Sequence, residues 1–521
     1  MKMVTEKLRP LVLVVGGLLF YLLVLGLRGT GTAGLELMER LRTANKALMN
    51  DAPVDVFDSP HPFIDLLYIP LAAAFDNEVF GFALVSAIAV ALTLPAIWRM
   101  AQAVAGGIGA AIAVGLFLGL PIVAGAATTP GPAAIVLLLW CWLLRLSTLS
   151  QHRWWTALLL SLVAAALTLS WAPALVWIVA WPIVVIAARG IAGRRSDPEA
   201  KGMIATSEVP VAILVAPVAA VVLPSVLFWA LGVAGDALEG TWYNYLTASL
   251  LGNFPPVLFE GTVYAVERSP LTTGAVWAAI EFPPEVVLGA VAALLLPATE
   301  RFGIFVDAPD KAEGFELPRS FSILTLIFVL GLPWALRTRD MGGVPLLLMA
   351  APVLAILAAS ILATFARLVV ERLEERDVAA RTRHTVLVAL LGLFLLPGLV
   401  STVLYHPYHG SYYNLFAGAP EGAIEAGHPA SRDDVLPIEV ARSVAKQVRS
   451  RSLYAGKWRP HFEAYVASGD IDPLNFAASP AEWQARFHER EPAPKRLQDE
   501  PAKQVTWGPR NAAVFVLDVR E

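Results

Sequence analysis

Repeated apolar runs of membrane-spanning length constrain this chain more than any other feature. One runs from Leu11 to Leu27. Others cover roughly 78–97, 107–125, 131–147, 154–170, 173–189, 210–232, 283–298, 320–336, 343–365 and 385–404. An α-helix needs about 17–25 such residues to cross ~30 Å of hydrocarbon. Composition agrees: 57% of residues are hydrophobic and 16% charged, where an average soluble domain has about 25% charged. Mean hydropathy is +0.62. A soluble core cannot hide that much apolar surface, so lipid solvates most of the chain. Disorder, coiled coil and a disulfide scaffold are excluded on the same ground. The single cysteine, Cys141, lies inside an apolar run (IVLLLWCWLL), which leaves no disulfide and no thiolate metal site. A net charge of −4 spread along the chain gives no nucleic-acid footprint.

Sidedness follows from the arginines. Lys2, Lys7 and Arg9 precede the first run, which puts the N-terminus in the cytoplasm by the positive-inside rule. The run is too long for a signal peptide and no small-residue cleavage site follows it. The piece Phe63–Phe75 is short and contains Asp65 and Pro70, so it reads as an interfacial or re-entrant helix. Leaving it out of the span count puts Arg99, Arg145, Arg153, Arg189, Arg194, Arg195 and Lys201 in the cytoplasm; counting it expels them all. The exception is the link with Arg337 and Arg339, which this topology places outside. The expectation is an all-α polytopic protein of about eleven spans plus one partial helix. Residues 1–404 form the membrane domain, with external loops at about 28–77 and 233–282, and residues 405–521 form an external soluble tail.

Polar chemistry gathers on the external side. In the first loop, Leu35, Met38, Leu41, Leu48 and Met49 recur at roughly helical spacing, giving an amphipathic surface helix. Glu36 and Glu39 share a face of it, beside Arg40. A carboxylate at the membrane boundary can accept a proton from a nucleophile; the same residues also read as a solvated helix face. Asp51, Asp55, Asp58 and His61 follow; oxygen ligands with a histidine suit a divalent cation, and aspartates in such a stretch equally cap turns. The second loop holds Trp242, Tyr243, Asn244 and Tyr245, an interfacial belt or a stacking platform for sugar rings. Ionisable residues are nearly absent from the spans, which disfavours a proton or ion path. The tail opens on a dense cluster, Tyr405, His406, Tyr408, His409, Tyr412 and Tyr413. A helix around 437–452 and a strand at Ala512–Val519 suggest that a small α/β domain follows.

Three stretches carry a resemblance. HPFIDLLYIPLAAAF follows the first loop, ATTPGPAAIVLLLWCWLLRL precedes RWWTALLLSLVAAALTLSWAPAL, and HPYHGSYYNLFAGAPEGA opens the tail. In this order the chain resembles the GT-C fold glycosyltransferases that use lipid-linked sugars, in particular relatives of protein O-mannosyltransferase and of the aminoarabinose transferase acting on lipid A. The likeness covers about 13–425 and is most specific in the tail, through His406, Pro407, Tyr408, Ser411, Tyr412, Tyr413, Asn414, Gly418, Gly422 and Ala423.

The resemblance implies transfer of a sugar from a polyprenyl-phosphate donor to a periplasmic lipid, glycan or protein acceptor. It implies Glu36 as base with Glu39 as understudy, and Asp58, His61, Arg268, His406, Tyr408, Tyr412, Tyr413 and Asn414 around the substrates. Alanine- and arginine-rich, lysine-poor usage points to a GC-rich bacterial genome and hence an inner membrane. The chain departs from the family at three places. Leu35 stands before Glu36 where the family has an acidic pair, Gly131 follows Pro130 where aspartate is common, and Ser170-Trp171 replaces a frequent lysine. These losses keep a second expectation open, a catalytically degenerate scaffold or accessory subunit of the same fold. No residue pattern names the sugar, a metal or the oligomeric state.

Overall fold

The structure, a computed structural model, describes residues 2–28, 31–32, 63–64, 67–68, 78–129, 131–148, 154–195, 211–230, 257–260, 262–264, 270, 272–295, 319–336, 340–341, 344–406, 408–426, 428, 436–448, 452–455, 458–467, 471–477, 483–487, 504–507 and 515–519. Nearly every apolar run folds as helix. In chain order these are α1 (Lys2–Arg28), α2 (Glu78–Ala91), α3 (Leu94–Leu118), α4 (Pro121–Thr128), α5 (Ala133–Ser147), α6 (Trp154–Ser170), α7 (Ala174–Arg195) and α8 (Val211–Ala230). They continue with α9 (Thr273–Glu281), α10 (Pro284–Leu295), α11 (Arg319–Leu336), α12 (Ala351–Glu375) and α13 (Ala380–Tyr405). The partial helix expected at 63–75 lies almost wholly outside the described residues.

Among the described residues, four helical stretches are long and apolar enough to cross a membrane: Leu8–Gly26, Phe80–Leu118, Leu346–Glu375 and Ala380–Tyr405. The pair α4 and α5, bent by 119°, makes a fifth if counted as one span. Five further apolar helices are shorter: Trp154–Ser170, Ala174–Ala188, Val215–Val226, Pro284–Leu295 and Phe321–Gly331. This is a multi-pass membrane chain.

The break expected between the runs at 78–97 and 107–125 is present at Gly106, and the second run ends earlier than hydropathy suggests. Stretch Phe80–Leu118 has 39 residues, about 58 Å of helix, which is far more than one crossing needs. Gly106 divides it, at φ 71 and ψ −170, a backbone region open essentially to glycine alone. Arg367 of α12 donates from Nη2 to the carbonyl of Ala105 at 2.5 Å and so caps the interrupted helix. The expected 107–125 run ends early, at Leu118, because Leu120 is extended and Pro121 starts α4. Proline has no N–H with which to continue the preceding helix.

Helices meet through small residues, as lipid-solvated bundles require where no hydrophobic force separates protein from solvent. A Cβ on Gly289 of α10 would lie 2.8 Å from the Ala358 Cβ of α12, and one on Gly119 would lie 2.9 Å from the Gly398 backbone of α13. Large aromatics fill the remaining space. Trp140 packs edge-on against Trp177 and Trp181, which in turn pack on Phe328 and Phe321. Two of the three indoles donate inside the bundle: Trp140 to the Met349 carbonyl at 3.0 Å and Trp181 to Ser147 Oγ at 2.9 Å. Ser170 donates to the carbonyl of Ala166 on its own helix.

The tail adds α14 (Ala419–Glu425), α15 (Ile438–Val448) and α16 (Arg459–Ala467). It also holds β3 (Ser452–Tyr454), β4 (Asn475–Phe476), β5 (Trp483–Phe487), β6 (Gln504–Trp507) and β7 (Phe515–Val519). These strands form a five-stranded sheet in the order β6-β7-β5-β3-β4, parallel where β3 meets β4 and β5 and antiparallel elsewhere. The helix expected around 437–452 is α15, and the strand expected at 512–519 is β7. Val440, Val444, Leu453, Trp458 and Phe462 form a separate apolar core beside the membrane bundle. A two-residue ladder joins two distant parts of the chain: β1 (Gly31–Thr32), just past α1, pairs antiparallel with β2 (Leu436–Pro437), just before α15.

Candidate functional site

The tail signature folds into a buried turn at the end of α13. His406 precedes Pro407, and proline's ring disfavours helical backbone in the residue before it. His406 is accordingly extended, at φ −66 and ψ 134. A 3₁₀ turn over His409–Ser411 follows, and a second over Leu415–Ala417. Gly418 then adopts φ +72, where a Cβ would also meet Gly422 Cα at 3.0 Å. A Cβ on Gly422 would lie 2.6 Å from the Ala417 carbonyl oxygen, so both signature glycines are required by the turn itself.

Asn414 fixes this turn to the bundle. Helix α9 ends at Glu281 because Pro283 and Pro284 follow, and a helix terminus leaves its last carbonyls without partners. Asn414 supplies them. Its Nδ2 donates to the carbonyls of Ala279 at 2.6 Å and Phe282 at 2.7 Å, and its backbone N–H donates to Ile280 at 2.8 Å. Its Oδ1 accepts from the Phe416 N–H at 2.9 Å. With the residue 2% exposed, the whole amide is occupied in capping a helix about 130 positions away in sequence.

The rest of the signature is buried around this clamp. Tyr412 meets Tyr405 edge-on, and Tyr413 stacks with His428, which packs against Phe259. Tyr408 is half-buried and reaches the apolar core of the tail. His406 and His409 are both buried, with His406 Nδ1 and His409 Nε2 3.0 Å apart. One ring donates and the other accepts, according to tautomer. Burial first, and the neighbouring His406 second, hold His409 well below the usual histidine range, so it is a neutral donor–acceptor at pH 7.

Under the turn lies a polar layer that sequence reasoning missed. On α13 the buried residues are Gly398, Thr402 and Tyr405, one face at helical spacing. Glu285, in the first turn of α10, has Oε1 buried. A Cβ at position 398 would lie 3.4 Å from that oxygen and 3.0 Å from the Gly119 carbonyl, which explains the glycine. Thr402 Oγ1, Ser411 Oγ and Glu285 Oε1 have no hydrogen-bond partner among the described residues. Glu281 is also buried. The visible signal was EFPPE, a proline pair that breaks a helix between two carboxylates. Such a layer can bind water or a hydroxyl-bearing ligand through neutral imidazoles, hydroxyls and a carboxylate.

Of the expected site residues, the fold gathers His406, Tyr408, Tyr412, Tyr413 and Asn414. Glu36, Glu39, Asp58, His61 and Arg268 lie outside the described residues. Gly131 has open space around it, with no atom within 4 Å of a Cβ built there. Among the described residues no group of three His, Cys, Asp or Glu side chains is arranged to hold a metal ion.

No protein-family profile and no curated protein matches the chain. Several solved structures do. The chain is similar to the crystal structure of ArnT from Cupriavidus metallidurans bound to undecaprenyl phosphate. Identity is 12%, over 99% of this chain and 98% of that one, with a TM-score of 0.47. It is similar to the apo oligosaccharyltransferase of Archaeoglobus fulgidus at 13% identity, over 90% of this chain and 65% of that one, TM-score 0.49. The form of that protein tethered to an acceptor peptide gives 15% identity and TM-score 0.47, over 92% of this chain and again 65% of the other. At this level the likeness is one of overall path and transfers no residue role.

Proposed function

We propose that this chain is a membrane glycosyltransferase of the GT-C type. It moves a sugar from a polyprenyl-phosphate donor to an acceptor hydroxyl or amine on the membrane face that carries the tail. The observation that carries the reading is the tail signature: HPYHGSYYN, the most specific part of the family resemblance, forms a built turn where α13 leaves the membrane, clamped to α9 by Asn414. The β1–β2 ladder supports it further, because the strand leading into the first loop is held against the tail. Glu36 is four positions after Thr32, so the covalent chain alone keeps their Cα atoms within about 14 Å.

In the reaction Glu36 takes the proton of the attacking group. The new bond forms at the anomeric carbon, the bond from that carbon to the phosphate oxygen breaks, and the polyprenyl phosphate leaves with the electron pair. Glu39 is the alternative base. Asp58, His61 and Arg268 belong to the donor and acceptor sites in this proposal, with His406, Tyr408, Tyr412 and Tyr413 forming the wall beneath them. An inner-membrane location with a cytoplasmic N-terminus completes it.

The test is consumption of a radiolabelled polyprenyl-phosphate sugar by membranes containing wild type, Glu36→Gln or Glu39→Gln. Turnover in wild type that disappears in Glu36→Gln at equal protein level supports the assignment. A second reading, a degenerate scaffold, is favoured by two observations: the hydroxyl of Ser170 is occupied by its own helix, and Gly131 presents no polar group. A wild type that turns over no donor in a broad panel would establish that reading instead.

A further inference from the structure

The tail leaves two large apolar side chains uncovered. Past Tyr405, among the described residues, the exposed ones are Leu415 at 77% and Phe416 at 55%. Val440, Val444, Leu453 and Phe462 are by contrast buried in the tail's own core. Leu415 and Phe416 sit side by side on the second 3₁₀ turn, Leu415–Ala417, whose Ala417 packs toward Ile280, Tyr413 and Ala423. An apolar patch of this kind marks an interaction surface, and the depth of the turn says with what.

Helix α13 supplies the ruler. From Thr385, just past Arg381, Arg383 and His384, to Tyr405 it rises about 30 Å, the thickness of a hydrocarbon core. Tyr405 thus marks the membrane boundary on the tail's side. Gly398 lies seven residues before Tyr405, about 10 Å deeper, and a Cβ there would lie 3.4 Å from Glu285 Oε1. Phe282, three positions before Glu285, is at most about 10 Å from it. Asn414 holds the carbonyl of Phe282 at 2.7 Å and that of Ala279 at 2.6 Å. The turn that begins at Asn414 is therefore folded back to about the level at which α13 ends, instead of standing out in water. Near that level Val400 and Leu404 of α13 are exposed, as is Leu288 of α10 somewhat deeper. Leu415 and Phe416 extend this apolar band.

The backbone of the turn suits lipid as well. A non-helical segment at this depth has to satisfy its own polar groups. The Asn414 carbonyl accepts from the N–H of Ala417 at 3.2 Å and of Ala419 at 3.0 Å, and the Leu415 carbonyl accepts from Gly418 at 3.1 Å. The Phe416 N–H donates to Asn414 Oδ1 at 2.9 Å. We infer that Leu415 and Phe416 are a membrane anchor: they insert into the acyl-chain region of the leaflet on the tail's side and hold the signature turn at the hydrocarbon boundary. The anchor is independent of the transferase reading.

The test is nitroxide accessibility, measured on the full chain in phosphatidylcholine liposomes. Cys141→Ala removes the single cysteine, and Leu415→Cys or Phe416→Cys then places one label. Leu393→Cys, 66% exposed in the middle of α13, is the lipid reference. Glu463→Cys, at an exposed position of α16, is the water reference. Labels at 415 and 416 should collide with dissolved oxygen as the label at 393 does, and lose most of the collisions with a water-soluble nickel chelate seen at 463. Nickel accessibility equal to that at 463 overturns the anchor. Shielding from both reagents also overturns it, because a protein partner or a second copy then covers the turn. If the labelled variants do not fold, wild type decides by photolabelling with a phospholipid that carries a carbene precursor in its acyl chain. Adducts on Leu415 or Phe416 support the anchor; their absence there while Leu393 is labelled refutes it.

Discussion

Changing Asn414 to aspartate replaces one NH2 group by oxygen and leaves the shape of the side chain almost unaltered. The amide nitrogen donates to two carbonyls, at 2.6 and 2.7 Å; an ionised aspartate would aim an oxygen at both. Asn414→Ala removes the clamp without adding repulsion, leaving two carbonyls and the Phe416 N–H without partners. At about 1 kcal/mol net for each of three hydrogen bonds, alanine should cost about 3 kcal/mol of local stability, and aspartate more. A loss of that size is about a hundredfold faster opening. Hydrogen exchange on the full chain in detergent reads it at the backbone amide of residue 414, which bonds the Ile280 carbonyl. The expected order of protection is wild type, then alanine, then aspartate. Aspartate protected as well as wild type, or better than alanine, would refute the assignment of Asn414 as the cap of α9.

Other substitutions probe separate parts of the fold. Gly289→Ala places a methyl 2.8 Å from the Ala358 Cβ and 2.9 Å from its Cα; it should cost about 1–3 kcal/mol, seen as a lower thermal midpoint in detergent. Acid should loosen the tail turn. His409 is held below its usual value of 6.5, chiefly by burial, so below that pH the unfolded chain takes up a proton that the folded one refuses. Stability then falls by up to about 1.4 kcal/mol per pH unit as pH drops. The thermal midpoint should decline toward about pH 5.5, in the range where histidine titrates, and His409→Gln should flatten the decline; an unchanged slope would contradict it.

Much of the fold was legible because lipid imposes one rule, that a spanning backbone satisfies itself as helix. The run read at 154–170 is helix α6 over the same residues, and 283–298 becomes α10 with its ends only slightly trimmed. The break between the runs at 78–97 and 107–125 was legible, but how it is held was not: the conformation of Gly106 and the contact of Arg367, 262 positions on, leave no mark in hydropathy. The near absence of ionisable side chains from the spans needs revising for the same reason. Glu285 and Arg367 sit beside interrupted helices, where freed backbone groups give a charge something to bind. At the site, the tail cluster was visible as a cluster. That Asn414 caps α9 was not, since its partners are distant in sequence and are carbonyls, which every residue has.

The most direct test of the proposed function is release of free polyprenyl phosphate from a polyprenyl-phosphate sugar by the purified full-length chain, followed by mass spectrometry with and without acceptor. A transferase releases polyprenyl phosphate in step with glycosylated acceptor, and Glu36→Gln abolishes both while leaving the folded protein intact. Release by wild type that Glu36→Gln does not alter would contradict the assignment of the base. No release from any donor would contradict the transferase itself.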